Sequence, residues 1–184
     1  MKMTGVIPVG IFVWLFCRTS TAGATAPKGY GSGESTSIGI RLGWSGAPNG
    51  LTYRKSFYGN QAFEFVVGYN GKVGRTLDLP MYQRGNSFIG ASYAPYFEMG
   101  NGGSVSCSIN ADIGARLRVH HYRPFGRNPF GSPVTPDLIA GGGMQLNFND
   151  SVELFADLHM TYYNRYDNAY VPGVESGLGL RFVL

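Results

Sequence analysis

From Val105 to Val119 the chain alternates without a break. Val105, Cys107, Ile109, Ala111, Ile113, Ala115, Leu117 and Val119 are apolar or small. Between them stand Ser106, Ser108, Asn110, Asp112, Gly114, Arg116 and Arg118, all polar, charged or glycine. A period of two marks a β-strand with two unlike faces. The run reaches Tyr122, far beyond the usual strand of about 5 to 6 residues.

Seven more segments read as strands, and none holds a helical period over a helix-length window. In Ser37–Trp44, Ile38, Ile40, Leu42 and Trp44 share one face, with Arg41 on the other. Leu51–Phe57 is the least regular segment. In the third, from Ala62 to about Lys72, Phe63, Phe65, Val67 and Tyr69 oppose Glu64. In Ser87–Met99, Ile89, Ala91, Tyr93 and Phe97 oppose Ser92 and Glu98. Asp137–Phe148 and Val152–Tyr163 follow, the second setting Leu154, Leu158 and Met160 against Glu153, Asp157, His159 and Thr161. The final stretch VESGLGLRFVL places Glu175 and Arg181 opposite Val174, Leu178, Leu180, Phe182 and Leu184.

The links carry their own pattern. YGNQ, GNGG and NDS are tight and rich in turn residues, whereas the stretches 71–86, 121–136 and 164–173 are longer, with SGAPNG a short exception. Short and long connections therefore alternate, which predicts an antiparallel barrel with short turns on one rim and longer loops on the other.

The N-terminus changes where this barrel belongs. Lys2, the apolar stretch Val6–Cys17 and the small-residue site Ala22-Gly23-Ala24 read as a secretory signal peptide over residues 1–24. Residues 25–36 are then an N-terminal periplasmic extension and 37–184 the barrel. Removing Lys2 and Arg18 leaves 13 of the 15 basic residues against 11 acidic ones, a balance that gives no reason to expect nucleic acid. It also leaves Cys107 as the one cysteine, so no internal disulfide is expected. Only Lys28, Lys55 and Lys72 remain as lysines, few for an exterior that faces water.

Alternation alone does not say which face points out, since a lipocalin-like soluble carrier has the same period with its apolar face inward. The polar face carries Arg41, Glu64, Asp112, Arg116, Arg118, Asp157, His159, Glu175 and Arg181 among glycines and serines. Mixed charges with small neighbours suit a crowded lumen in which they form a polar network. Aromatics stand near the apolar-face strand ends, at Trp44, Tyr69, Phe97, Phe148, Tyr162 and Phe182, as membrane girdles require. The reading is an all-β, eight-stranded antiparallel up-and-down transmembrane β-barrel.

The segments SIGIRLGWSGAPNGLTYRKSF and AFEFVVGYNGK resemble the opening strands of small eight-stranded outer-membrane β-barrels of the OmpA/OmpX-like superfamily, especially those common in Bacteroidota. The ending GLGLRFVL resembles that family's C-terminal assembly signal, with Phe182 as the aromatic and Leu184 last. The resemblance implies residence in a bacterial outer membrane, contact with its lipid and lipopolysaccharide, and delivery to the barrel assembly machinery through the last strand.

No motif for chemistry stands out, and neither a cofactor nor a metal is expected. His159 with Thr161 would need a nucleophile poised by a base, but on a polar inner face both serve equally as lumen packing. His120 and His121 point to opposite faces and lack neighbouring ligands. Lipid-A deacylases have this kind of barrel and place a His–Ser pair on the lipid side, unlike the inward His159 and Thr161. The loop candidates for binding are Tyr122, Arg123, Phe125, Arg127, Phe130, Arg165, Tyr166 and Tyr170, since arginine and aromatic residues dominate binding hot spots. The arginines also suit lipopolysaccharide phosphates. A non-enzymatic envelope or surface-interaction barrel is therefore expected, with an envelope-modifying enzyme or a soluble carrier as the alternatives.

Overall fold

The computed structural model describes residues 34–57, 60–71, 83–102, 104–122, 134–148, 151–164 and 170–184. The signal-peptide stretch therefore lies outside the described residues, as does most of the N-terminal extension.

The strands are β1 (Ser35–Trp44), β2 (Asn49–Phe57), β3 (Gln61–Asn70), β4 (Gln83–Tyr93), β5 (Tyr96–Gly102), β6 (Val105–Tyr122), β7 (Val134–Phe148), β8 (Val152–Asn164) and β9 (Tyr170–Val183). All pair antiparallel, and the β4–β6 and β1–β9 ladders close them into a barrel. Nine segments make eight staves because β4 and β5 are one strand interrupted at Pro95. Proline has no N–H to give a ladder. Its carbonyl still accepts from Ala111 N (3.0 Å), while Ala94 N and Tyr96 N donate to Ala62 O and Asn60 O. The register is kept across the gap, since Tyr93 pairs with Ile113 and Tyr96 with Asn110.

The stagger follows from the pairing. A rung from Thr36 passes through Lys55, Phe63, Tyr93, Ile113, Ala140 and Met160 to Val174 on β9. Across the seam, however, Thr36 O accepts from Leu184 N, ten residues further along. Eight staves with that offset tilt the strands about 40° from the barrel axis at ordinary strand spacings.

The burial pattern reports which face is out. Ile40, Leu51, Val67, Ile89, Ile113, Leu138 and Met160 are exposed, and Ile113 and Met160 reach 65%. Ser37, Arg41, Thr52, Arg54, Asp137, Glu153, Glu175 and Arg181 are buried. The interior is polar and the exterior apolar, the reverse of a soluble lipid carrier. With the tilt above, the outward rings of Phe57 and Phe182 lie about 20 Å along the axis from those of Trp44, Tyr69 and Tyr162, close to an outer-membrane apolar band.

Leu51–Phe57, irregular to the eye, is regular in the barrel: Thr52, Arg54 and Ser56 point in and Leu51 and Tyr53 out. One outward patch is covered, where Cys107 and Leu146 are buried with Met144, Phe148 and Leu154 against them. At the opposite rim from the chain ends, the β1–β2 turn tucks into the barrel mouth. Ser45 (φ 58°) and Gly46 (φ 108°) make its left-handed bend, and Ala47 and Pro48 are buried beneath it.

Candidate functional site

The lumen is a stack of charges held by alternate residues of every stave. Nearest the chain ends, Arg181 is almost fully buried and ion-pairs with Glu64 and, at 3.4 Å, Glu153. Its Nε donates to Thr52 Oγ1 (2.7 Å), and Ser37 Oγ donates to Glu153 Oε2 (3.0 Å). The guanidinium lies 3.8 Å from the centroid of Phe155, an inward aromatic. That contact needs Gly179, where a Cβ would stand 2.2 Å from the Phe155 ring.

In the middle layer Arg41 Nη2 donates to Asp157 Oδ1 (2.6 Å). His159 Nε2 lies 3.0 Å from Asp112 Oδ2 and its Nδ1 3.6 Å from Asp157 Oδ1. Asn110 Nδ2 donates to the other Asp112 oxygen at 2.6 Å. Gly177 leaves room for the Arg41–Asp157 pair: a Cβ there would meet Arg41 Nε at 2.5 Å and Asp157 Oδ1 at 2.8 Å.

Towards the loop rim Arg116 grips Glu175 with both terminal nitrogens (2.7 and 2.6 Å) and Asp137 with Nε (2.8 Å). Arg118 donates twice to the same Asp137 oxygen (3.0 and 2.7 Å). Phe88 lies within 4.7 Å of the Arg116 guanidinium and 5.1 Å of that of Arg118, and Tyr163 within 4.7 Å of the latter. Above them His120 hydrogen-bonds Asn86 and Thr135, both at 2.9 Å.

The nine residues read from the sequence as a polar network, Arg41, Glu64, Asp112, Arg116, Arg118, Asp157, His159, Glu175 and Arg181, all lie inside this stack. Glu153, read on the same polar face as Asp157 and His159, joins them, and Arg54 and Asp137 belong with them and were missed. Alternation was the available signal: Arg54 shares parity with Thr52, and Asp137 shares parity with Gly141. Among the described residues five arginines face six carboxylates (Glu64, Asp112, Asp137, Glu153, Asp157, Glu175). Among the described residues Arg54 has no direct carboxylate partner; it pairs across the ladder with Glu64 and stacks on Tyr96 at 5.3 Å.

A cavity of about 40 Å³ remains between Arg41, Arg54, Asp112, Asp157, His159 and Arg181. It has room for a few water-sized molecules and none for an organic solute. Among the described residues Thr161 Oγ1 has no hydrogen-bond partner, and His159 makes no contact that would activate it. Among the described residues no group of histidine, cysteine and carboxylate side chains is arranged to hold a metal.

A serine–histidine pair missed from the sequence does lie on the outer surface: Ser87 Oγ and His121 Nε2 are 2.8 Å apart near the loop rim. The imidazole also touches the Tyr69 ring, but no carboxylate among the described residues orients it, as a hydrolytic triad would require. Of the loop candidates, Arg123, Phe125, Arg127, Phe130, Arg165 and Tyr166 lie outside the described residues. Tyr122 and Tyr170 end their strands.

No family model and no curated protein sequence matches the chain. Solved structures do. The N-terminal β-barrel domain of Pseudomonas aeruginosa OprF is similar with a TM-score of 0.57 at 13% identity, over 83% of this chain and 98% of that one. Ail, the attachment invasion locus protein of Yersinia pestis, solved with the heparin analogue sucrose octasulfate, gives 0.49 at 20% identity over 83% and 99%. Neisserial surface protein A gives 0.44 at 18% over 81% and 94%. The narrower likeness to Bacteroidota barrels stays with the sequence pattern alone. The chain has the fold of the small eight-stranded outer-membrane β-barrels.

Proposed function

We propose that this chain is an outer-membrane barrel with a structural and surface-interaction role, exported by a signal peptide cleaved after Ala24. The observation that carries the reading is the division of the wall: apolar side chains fill its outer face and paired charges its interior. A bilayer accepts only such a closed sheet, and a lumen packed with ion pairs is unsuited to wide diffusion. Both chain ends sit at the periplasmic rim, from which β9 engages the assembly machinery. The longer links lie outside, where Arg123, Arg127 and Arg165 with their aromatic neighbours meet lipopolysaccharide phosphates or a surface ligand. The barrel performs no chemistry of its own.

The test replaces residues 123–133 and 165–169 by glycine–serine linkers of equal length. The variant is expected to keep the shift in gel mobility between unheated and boiled samples while losing adhesion of whole cells to host or abiotic surfaces. Adhesion equal to that of the parent would refute the loop role. A parent protein that fractionates without detergent would refute the membrane assignment.

A further inference from the structure

The six lysine and arginine side chains described divide unevenly. Arg41, Arg54, Arg116, Arg118 and Arg181 lie in the interior, and Lys55 alone faces out. It sits on the outer face of β2, two residues from the strand end, in the rung Thr36–Lys55–Phe63–Tyr93. That height is the rim of the apolar band nearer the chain ends, just above Phe57.

The surroundings of Lys55 are aromatic. Its ammonium lies 5.8 Å from the Phe57 ring. Phe57 meets Phe63 edge-on at 5.8 Å, Phe63 meets Tyr93 at 5.6 Å, and Tyr53 meets Phe65 at 6.0 Å two rungs higher. Among the described residues the only carboxylate at hand is Glu34 at 3.7 Å, with side-chain exposures of 39% for Lys55 and 54% for Glu34. An exposed ion pair at that distance holds its lysine weakly. The four-carbon stem can instead lie along the rings and carry the ammonium to the headgroup level.

We propose that Lys55 binds the phosphodiester of an anionic glycerophospholipid in the leaflet nearer the chain ends. The faces of Tyr53, Phe63 and Phe65 receive the acyl chains of the same lipid. The chemistry fits one occupant: a single cation at phosphate depth above a continuous aromatic and apolar wall. A free phosphate would gain only the cation, and a zwitterionic lipid sets its own ammonium against it. One lysine near a lipid surface favours an anionic headgroup about fivefold.

This site rests on the membrane reading above, so the experiment separates the two. The full chain is inserted into nanodiscs of phosphatidylcholine with phosphatidylglycerol, and the lipids retained are weighed by native mass spectrometry. The parent is expected to retain one phosphatidylglycerol with about fivefold enrichment over its bulk fraction. Lys55→Gln should fall to the bulk ratio, Lys55→Arg should recover it, and Glu34→Gln should raise it. Equal enrichment in the parent and Lys55→Gln would overturn the site, as would capture of inorganic phosphate in place of lipid. A parent that shows no heat-dependent mobility shift and does not insert would overturn the membrane reading and this proposal with it.

Discussion

Replacing Arg116 by Leu removes the most heavily used cation of the upper lumen. Its guanidinium supplies three charge-assisted hydrogen bonds, two to Glu175 and one to Asp137, all between 2.6 and 2.8 Å. After the change Asp137 keeps both donors of Arg118, but Glu175 is left with Arg118 at 3.9 Å as its nearest cation. Orphaning one member of a buried ion pair costs about 3–5 kcal/mol, and the share retained by Arg118 places the expectation near 3. At a urea dependence of about 2 kcal/mol per molar, the midpoint should fall by about 1.5 M. The assay follows the heat-modifiable band in detergent across a urea series. The partner change decides the cause. Glu175→Leu in the Arg116→Leu background removes the stranded carboxylate and should restore most of the loss, because apolar replacement of a whole buried pair is close to neutral. A double variant no more stable than the single one would refute the ion-pair account, and so would an unchanged midpoint for Arg116→Leu.

Two further changes probe the wall from either side. Ile113→Lys puts a charge at mid-height on the outer face, where Ile113 is 65% exposed; in vesicles it should cost about 2–4 kcal/mol of folding free energy. An effect near zero would mean that this face does not meet lipid. Gly177→Val drives side-chain atoms into the Arg41–Asp157 pair and should lower the urea midpoint. An unchanged midpoint would show that the lumen gives way around Gly177.

The fold was legible because a bilayer asks for one pattern repeated around a ring. Strict alternation in β6 and β8 set the faces, and alternating link lengths set the rims. β2 was hard to read because Lys55 stands among its outward residues and breaks the apolar count, hiding the parity that places Arg54 inside. Pro95 is visible in the sequence, yet whether it ends a strand or only interrupts one depends on the neighbours. Here Ala62 and Asn60 supply carbonyls on either side of it, so the stave survives. The polar face was readable residue by residue, but its partners were not. Arg116 finds Glu175 fifty-nine residues away and Asp137 twenty-one away, distances set by the stagger of the whole barrel. The Ser87–His121 contact escaped for the same reason: it joins β4 to β6 across a register that no local pattern encodes.

The seam between β1 and β9 has a temporal meaning. Ser37 waits for Val183 and Trp44 for Ser176, so the first strand made has a free edge until the last has been delivered. Every other stave meets a neighbour close in sequence and can zip as a hairpin within microseconds, whereas this join closes a loop of most of the chain. Until then the growing sheet shows two unsatisfied edges, a state that hydrocarbon does not admit and that invites pairing with other chains. Insertion and closure must therefore coincide. A chain stalled before β9 has no partly inserted resting place, and a chaperoned, unfolded interval in water is the condition under which this wall can be built.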